Sequence, residues 1–165
     1  MADTENTGTV AKFYRGWNRY QDLLAATAAP LTEEQLSWRA ASHLRSAGEL
    51  LAHIVGTRAG WLHYILHEGD DDLAGISTWD EPGAPPRGTA ELVSGLETTW
   101  HVIKSGLERW TPADLEVELQ ATRDDGTVRT FSRQWVLWHL LEHDMHHGGE
   151  FSYVLGMHGS EGMDI

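Results

Sequence analysis

The sequence contains no cysteine. This absence excludes disulfides, thiolate metal ligands and a cysteine nucleophile, so any thiol chemistry needs a thiol supplied by a small molecule. Basic residues are also few, since 12 Lys and Arg stand against 25 Asp and Glu, for a formal net charge of −13. Phosphate-binding surfaces need clustered basic residues, and those here are scattered. We therefore do not expect DNA or RNA as a partner.

Long apolar runs are missing as well. No stretch of the 165 residues is long and apolar enough to span a membrane. The first residues, MADTENTGTVAK, lack the basic-then-apolar layout of a secretory signal. We expect a cytoplasmic protein with no membrane partner, forming one domain over residues 1–165.

Helical periodicity is the dominant pattern of apolar residues in the sequence. Apolar residues recur at steps of three or four, which predicts four long helices that each bury one stripe. The predicted helices span residues 9–28, 47–67, 89–110 and 133–155. Capping signals support these boundaries: a capping box begins at Ser46, the last helix is capped by Thr130 or Ser132, and Gly156 ends it. A further capping box at Thr32 predicts a short helical turn between the first two long helices.

Two connections between the helices are informative. Residues 68–88 contain four Asp, four Gly and three Pro, which predicts a long connection of the kind that often contributes to a binding site. Asp125-Gly126 lies between two alternating runs just before the last helix and predicts a β-hairpin. The expected fold class is therefore all-α, a four-helix bundle with a small β-hairpin.

Histidines are the most informative residues of this chain. His139, His143 and His147 lie at successive steps of four within HLLEHDMHHGGEF, and His53 lies in the second long helix. Steps of four keep side chains on one helix face. His139 and His147 are about 12 Å apart along a helix at roughly 1.5 Å per residue, whereas a zinc–nitrogen bond is about 2 Å long. One ion cannot bind both, so the ligand pair is His139 with His143, or His143 with His147.

We interpret this pattern as a metal site in the bundle, formed by His53 and one of the two pairs. Val136, Glu150 and Val154 are in phase with the late histidines, so we expect that stripe to face inward. Four polar residues are candidates for orienting water or ligands at this site: Glu49, Thr57, Tyr64 and Glu150. The other histidines have no expected metal role: His43, His63, His67, His101, His146 and His158.

The chain resembles the DinB-like four-helix-bundle proteins, also described as YfiT-like metal-dependent enzymes. Two segments carry the resemblance: SAGELLAHIVGTRAGWL at residues 46–62 and VLWHLLEHDMHHGGEFSYVLGMHG at residues 136–159. The resemblance implies a divalent ion, zinc or nickel, bound by His53, His143 and His147, with His139 in a second layer. It also implies a homodimer. Relatives in the wider superfamily use mycothiol or bacillithiol as cosubstrates in transferase and isomerase reactions.

One segment departs from that family. Gly148-Gly149-Glu150 stands where many relatives have arginine, glycine and glutamine, so any anion contact or packing role of the arginine is missing here. A glycine pair inside a helix is also expected to weaken or bend it.

Three functions remain open from the sequence. The first is a metal-dependent, S-transferase-like enzyme that acts on a small-molecule substrate with a low-molecular-weight thiol as cosubstrate. The second is a hydrolase that uses metal-bound water, and the third is a non-catalytic metal-binding protein of stress response or interaction. An aromatic set is expected to serve mainly the core and, where it faces the metal, a small hydrophobic substrate: Phe13, Trp17, Tyr20, Trp61 and Trp100.

Overall fold

The computed structural model describes residues 10–12, 14–122 and 125–164. Within them the fold is the expected all-α bundle of four long helices with a two-stranded antiparallel hairpin before the last one. In chain order the elements are α1 (Arg15–Ala28), α2 (Glu33–Leu36), α3 (Ala47–Gly60), α4 (Asp72–Ile76), α5 (Thr89–Arg109), α6 (Pro112–Leu115), β1 (Glu118–Thr122), β2 (Val128–Ser132) and α7 (Arg133–Met157). The predicted start of the first helix at Thr9 lies outside the described residues. Among the described helices, none has the length and apolar composition needed to cross a membrane.

Side-chain caps set the helix starts as the sequence predicts. The capping boxes that begin at Thr32 and Ser46 both form. Of the two candidate caps for α7, Ser132 is the one used, because its hydroxyl accepts a hydrogen bond from the backbone N–H of Trp135 at 3.1 Å. Thr130 lies instead within β2.

Two helix ends show features that the sequence does not predict. Helix α3 continues as a π-helical segment, Trp61–Leu66, and the chain then leaves it through His67 in the left-handed conformation with φ of 54°. Helix α7 does not end at Gly156 but runs on to Met157. The left-handed residue that follows this helix is Gly159, with φ of 76°. A glycine ends a helix through its conformation, and Gly156 keeps the helical one.

The hairpin packs against the bundle. Leu119 of β1 pairs with Phe131 of β2, and Gly126 occupies the turn with φ of 80°. Phe131 is buried and contacts Trp61 edge-on at 5.3 Å between ring centroids. The expected long connection, residues 68–88, contains α4 and is otherwise irregular apart from turns.

The buried apolar side chains form two clusters. One includes Trp17, Ala59, Trp100 and Leu140. The other includes Leu24, Val55, Leu96 and Phe151. Each of the four long helices contributes to both clusters, which places them one after the other along the bundle axis.

A polar layer lies between these clusters. It consists of one buried side chain from each long helix, namely Gln21, Arg58, Thr99 and Asp144. Along each helix, this residue lies between the residues of one apolar cluster and those of the other. Arg58 and Asp144 have no exposed side-chain surface and form an ion pair at 2.7 Å. Arg58 also donates to Gln21 at 2.7 Å, and the Trp17 indole N–H donates to Asp144 at 2.6 Å.

Candidate metal centre

Helices α3 and α7 bring His53, His143 and His147 together. One nitrogen from each imidazole lies within 4.8 Å of the other two, and the Nε2 atoms of His53 and His143 are 3.1 Å apart. The ring centroids are separated by 4.4 to 4.7 Å. All three side chains are partly buried. The step of four on α7 places two rings on one face, and the packing of α3 against α7 supplies the third.

His139 lies one turn before His143 and outside this group. Its ring centroid is 6.1 Å from that of His143. It stacks on Trp135 at 5.1 Å with an interplanar angle of 14°, and contacts Trp61 at 5.0 Å. His139 therefore belongs to an aromatic wall beside the three histidines. The wall consists of His139, Trp61 and Trp135.

Carboxylates orient two of the three imidazoles. The Nδ1 atom of His53 donates to Asp80 Oδ2 at 2.5 Å, and Nδ1 of His147 donates to Glu150 Oε2 at 2.7 Å. A proton on Nδ1 leaves the lone pair of a neutral imidazole on Nε2. A carboxylate hydrogen-bonded to the far nitrogen is the usual support of a metal-binding histidine, because it fixes both tautomer and ring orientation.

Burial favours the neutral form of His143 and His147. It lowers the pKa of His143 from 6.5 to about 3, with further lowering by the charges of His147 and His53. Burial also lowers the pKa of His147, against the opposing effect of its hydrogen bond to Glu150. Neutral imidazole is the form that binds metal ions. Both rings are thus ready to act as ligands near pH 7.

The histidine group does not satisfy its own hydrogen-bonding capacity. Nδ1 of His143 is buried and has no hydrogen-bond partner among the described residues. The facing Nε2 atoms of His53 and His143 can share one proton at most if both rings are neutral. Buried polar groups are normally paired. Three converging neutral nitrogens fit a divalent ion such as zinc, so the cluster could hold one.

A second group of possible ligands lies on the exposed side of α7. It comprises His146, His147 and Glu150, and the nearest approach of His146 to the carboxylate is 3.5 Å. His147 is shared with the first group, and its Nδ1 is already hydrogen-bonded to Glu150. We therefore assign Glu150 the role of orienting His147.

The other candidate residues take different positions. Glu49 does not join the histidines; it forms a two-point ion pair with Arg39, both contacts at 2.7 Å, which is the main cause of its lowered pKa. Tyr64, another candidate for orienting water or ligands, is 56% exposed. The inward placement of Glu150 was wrong, because its side chain is 47% exposed. Thr57 is partly buried on α3.

The aromatic set divides between core and site. Trp17, Tyr20 and Trp100 are buried, as expected of core residues. Trp61 contacts His139 and so belongs to the aromatic wall beside the three histidines. Phe13 lies outside the described residues.

The glycine pair of α7 has a packing role at one position only. A Cβ on Gly148 would collide with the Tyr20 hydroxyl, whereas a Cβ on Gly149 would meet open space. The helix runs through both positions without interruption. Tyr20 of α1 thus approaches the backbone of α7 next to His147.

Two features of the site were not predicted from the sequence. Asp80, which accepts a hydrogen bond from His53, lies in the connection 68–88, and no spacing rule relates it to a residue 27 positions earlier in the chain. The Arg58–Asp144 pair did leave a signal, because both residues are in phase with apolar positions of their helices. A charged residue in such a phase predicts a buried partner of opposite charge.

A cleft of about 740 Å³ opens beside the site. One wall is formed by the first half of α3, including Glu49 and Ala52, and the other by Trp79, Asp80 and the segment that follows. Asp80 therefore contributes both to this cleft and to the support of His53. A volume of this size is typical of small-molecule sites.

The fold is a bundle of four long helices in which three histidines converge from α3 and α7. These features define a class of helical proteins with a candidate metal centre. Within this class the chain belongs to the DinB family, whose family model matches residues 1–163. A comparison with curated proteins gives no significant match.

Solved structures of DinB-like proteins share this fold. A DinB-like protein from Bacillus cereus superposes with a TM-score of 0.68 at 21% identity, over 93% of this chain and 95% of its own. A protein assigned to the DinB family from Exiguobacterium sibiricum gives 0.64 at 19% identity, over 96% and 95%. A DinB-like protein from Bacillus subtilis gives 0.63 at 18% identity, over 88% and 91%. At these identities the likeness establishes the fold.

Proposed function

We propose that this protein is a metal-dependent enzyme whose divalent ion, zinc or nickel, is bound by His53, His143 and His147. The observation that carries the proposal is the convergence of one nitrogen from each ring within 4.8 Å. The lowered pKa of His143 and the carboxylate partners of the other two rings support it. His139 is assigned to the aromatic wall beside the site.

A divalent ion held by the three imidazoles would keep one coordination position for water or a thiol and would lower the pKa of that group. The protein's own residues prepare that position. Asp80 and Glu150 hold the Nδ1 protons of His53 and His147, so that both Nε2 lone pairs face inward. Trp61 and Trp135 cover one side with apolar surface.

We further propose that the reaction is thiol-dependent and S-transferase-like, with a low-molecular-weight thiol of the mycothiol or bacillithiol type as cosubstrate. The cysteine-free sequence is compatible with this reaction, because the thiol would then come from a small molecule. The 740 Å³ cleft offers room for a small-molecule substrate. The alternative activity is hydrolysis by metal-bound water, and the alternative without catalysis is metal binding for stress response or protein interaction.

Metal analysis tests the site. Protein purified without an affinity tag or chelator is expected to contain about one equivalent of zinc or nickel, or to take it up on reconstitution. His53→Ala, His143→Ala and His147→Ala should each lose this metal, while His139→Ala, the matched control on the same face of α7, should keep it. Equal losses at His139 and His143 would overturn the ligand assignment, and a wild type that takes up no metal would overturn the proposal.

Cosubstrate dependence tests the reaction. Metal-loaded protein is incubated with an electrophilic small molecule in the presence and absence of mycothiol or bacillithiol, with His143→Ala as the control. Turnover that needs both the thiol and His143 supports the S-transferase. Turnover without the thiol favours the hydrolase, and no turnover across a panel of electrophiles and esters favours the non-catalytic alternative.

The oligomeric state and the cellular location are the remaining questions. We propose a homodimer, supported by large apolar side chains exposed on α7 at Trp138, Met145 and Tyr153. Light scattering coupled to size-exclusion chromatography tests it, and a monomer at micromolar concentration would contradict it. The cytoplasmic location stays a prediction.

A further inference from the structure

We propose that Asp80 is a positioning residue for His53. The packing of the preceding residue, Trp79, places Asp80 beside α3, and the missing side chain at Gly56 leaves room for its carboxylate there. This inference rests on the proposed metal site. It assigns the orientation of one ligand to the connection between α3 and α5 rather than to the helices that carry the histidines.

Trp79 fixes the connection to the bundle. A Cβ on Gly95 of α5 would lie 2.7 Å from the Trp79 ring and equally close to Val55 of α3, so the indole occupies the space that this glycine leaves. The Arg87 guanidinium covers the same ring at 5.0 Å. Because the Trp79 ring lies against α5 at Gly95 and packs on the apolar cluster that includes Val55, the next residue along the chain starts from a defined point.

Gly56 completes the support of Asp80. A Cβ at this position would lie only 2.8 Å from Asp80 Oδ1. The carboxylate therefore rests against the backbone of α3, while its other oxygen, Oδ2, accepts the hydrogen bond from His53 Nδ1 at 2.5 Å. Both oxygens of Asp80 are thus placed by α3, three residues apart on the same helix.

The consequence concerns the tautomer of His53. With the proton held on Nδ1 by Asp80, the Nε2 lone pair faces His143 Nε2 at 3.1 Å. Without the carboxylate, the ring can carry its proton on Nε2 instead, which blocks the nitrogen that a metal needs. Loss of such a supporting carboxylate typically weakens metal affinity by about 10–100-fold.

The test compares zinc affinity in four variants, measured by competition with a chelating dye. Asp80→Ala is expected to weaken zinc binding by roughly 10–100-fold and Asp80→Asn by less, because an amide oxygen still accepts the hydrogen bond without charge. Gly56→Ala leaves Asp80 and His53 unchanged but displaces the carboxylate, so it should weaken binding in the same direction. Gly60→Ala is the matched control, since a Cβ one turn later meets nothing closer than 3.8 Å.

A second readout separates positioning from general stability. Nitrogen-15 spectra of the metal-free protein report which nitrogen of His53 carries the proton. Wild type and Gly60→Ala are expected to show the Nδ1–H form, and Asp80→Ala and Gly56→Ala an increased share of the Nε2–H form. Thermal unfolding of Gly56→Ala and Gly60→Ala should stay close to that of wild type.

The outcomes distinguish this inference from the proposed function. A wild type that binds no zinc overturns the metal site itself. A wild type that binds zinc, with Asp80→Ala and Gly56→Ala unchanged in zinc affinity and tautomer, overturns the positioning role alone. If Asp80→Ala does not fold, Gly56→Ala and Asp80→Asn decide the question by the same two measurements.

Discussion

Two polar clusters share the helices α3 and α7, yet they are built in opposite ways. Asp144 of the polar layer follows His143 of the candidate metal centre directly in the sequence. Both oxygens of Asp144 accept hydrogen bonds, from Arg58 and from Trp17. His143 instead has a buried Nδ1 without a partner among the described residues.

The difference indicates what each cluster is for. A fully paired, fully buried ion pair holds its helices in one arrangement, because any shift leaves a charge without its partner. A group of neutral imidazoles that cannot satisfy one another contributes little to folding and has nitrogen lone pairs available to a ligand. In this bundle the polar layer fixes how α3 and α7 face each other, and that arrangement brings the three histidines together.

The largest expected effect concerns the paired cluster. Asp144→Ala removes the partner of a guanidinium that has no exposed surface, and should lower the free energy of unfolding by about 3–5 kcal/mol. Urea unfolding followed by circular dichroism measures this change. His139→Ala, on the same helix but partly exposed, is the control and should cost far less. A loss below about 1 kcal/mol in Asp144→Ala would contradict the structural role.

Replacing both members of the Arg58–Asp144 ion pair tests whether the unpaired buried charge is what destabilises Asp144→Ala. Arg58→Met with Asp144→Leu removes the charges together and leaves apolar groups in the layer. Such replacements are often neutral, or stabilising by about 1–4 kcal/mol. We expect the double variant to unfold at higher urea concentration than Asp144→Ala. Equal instability of the two variants would show that the layer's hydrogen bonds, rather than an unpaired charge, dominate.

The comparison also shows where sequence reasoning succeeds. Helix starts at Thr32, Ser46 and Ser132 are local events, set by a side chain and a backbone N–H a few residues away, so a short motif predicts them. The shared face of His143 and His147 is equally local. The choice between this pair and His139 with His143 needed the family resemblance, because both spacings are the same.

The features missed by the sequence are long-range. Asp80 contacts His53 from a connection in which the preceding residue, Trp79, packs against α5 at Gly95, and no periodicity encodes that packing. Helix α7 ends at Met157, two residues after the predicted end at residue 155, since Gly156 and Gly159 are equally able to adopt the left-handed conformation that ends a helix. Which of them does so depends on the packing of the chain that follows.

The second largest effect is expected at the metal centre. Saturating zinc, at about 1,000 times its dissociation constant, should stabilise the wild type by about 4 kcal/mol, and less if the unfolded chain also binds zinc. His143→Ala should lose this zinc-dependent gain while folding well without metal. Thermal unfolding with and without zinc measures both. A zinc-dependent gain in His143→Ala equal to that of the wild type would remove this histidine from the ligand set.

The glycine pair of α7 gives an intermediate effect with its own control. Gly148→Ala places a methyl group against the Tyr20 hydroxyl and should cost about 1–3 kcal/mol, as overpacking does. Gly149→Ala meets open space and should stabilise the helix by about 0.5–1 kcal/mol. Urea unfolding of the two variants should therefore move in opposite directions. A shift of the same sign and size in both would contradict the close approach of α1 to α7.

The smallest effect is the pH dependence of the metal-free protein. Burial lowers the pKa of His143 in the folded state to about 3, whereas the unfolded chain retains a pKa near 6.5. Below pH 6.5 the unfolded chain therefore takes up a proton that the folded protein does not, so stability is present above that pH and falls as the pH is lowered from 6.5 toward 3. The slope from one such group cannot exceed about 1.4 kcal/mol per pH unit, and partial exposure reduces it. Unfolding of chelator-treated wild type and His143→Gln between pH 7.5 and 5 should show a steeper loss in the wild type. Parallel curves would mean that His143 is protonated in the folded protein. The histidine cluster would then carry charge in the folded state, as the polar layer does, and its contrast with that layer would be lost.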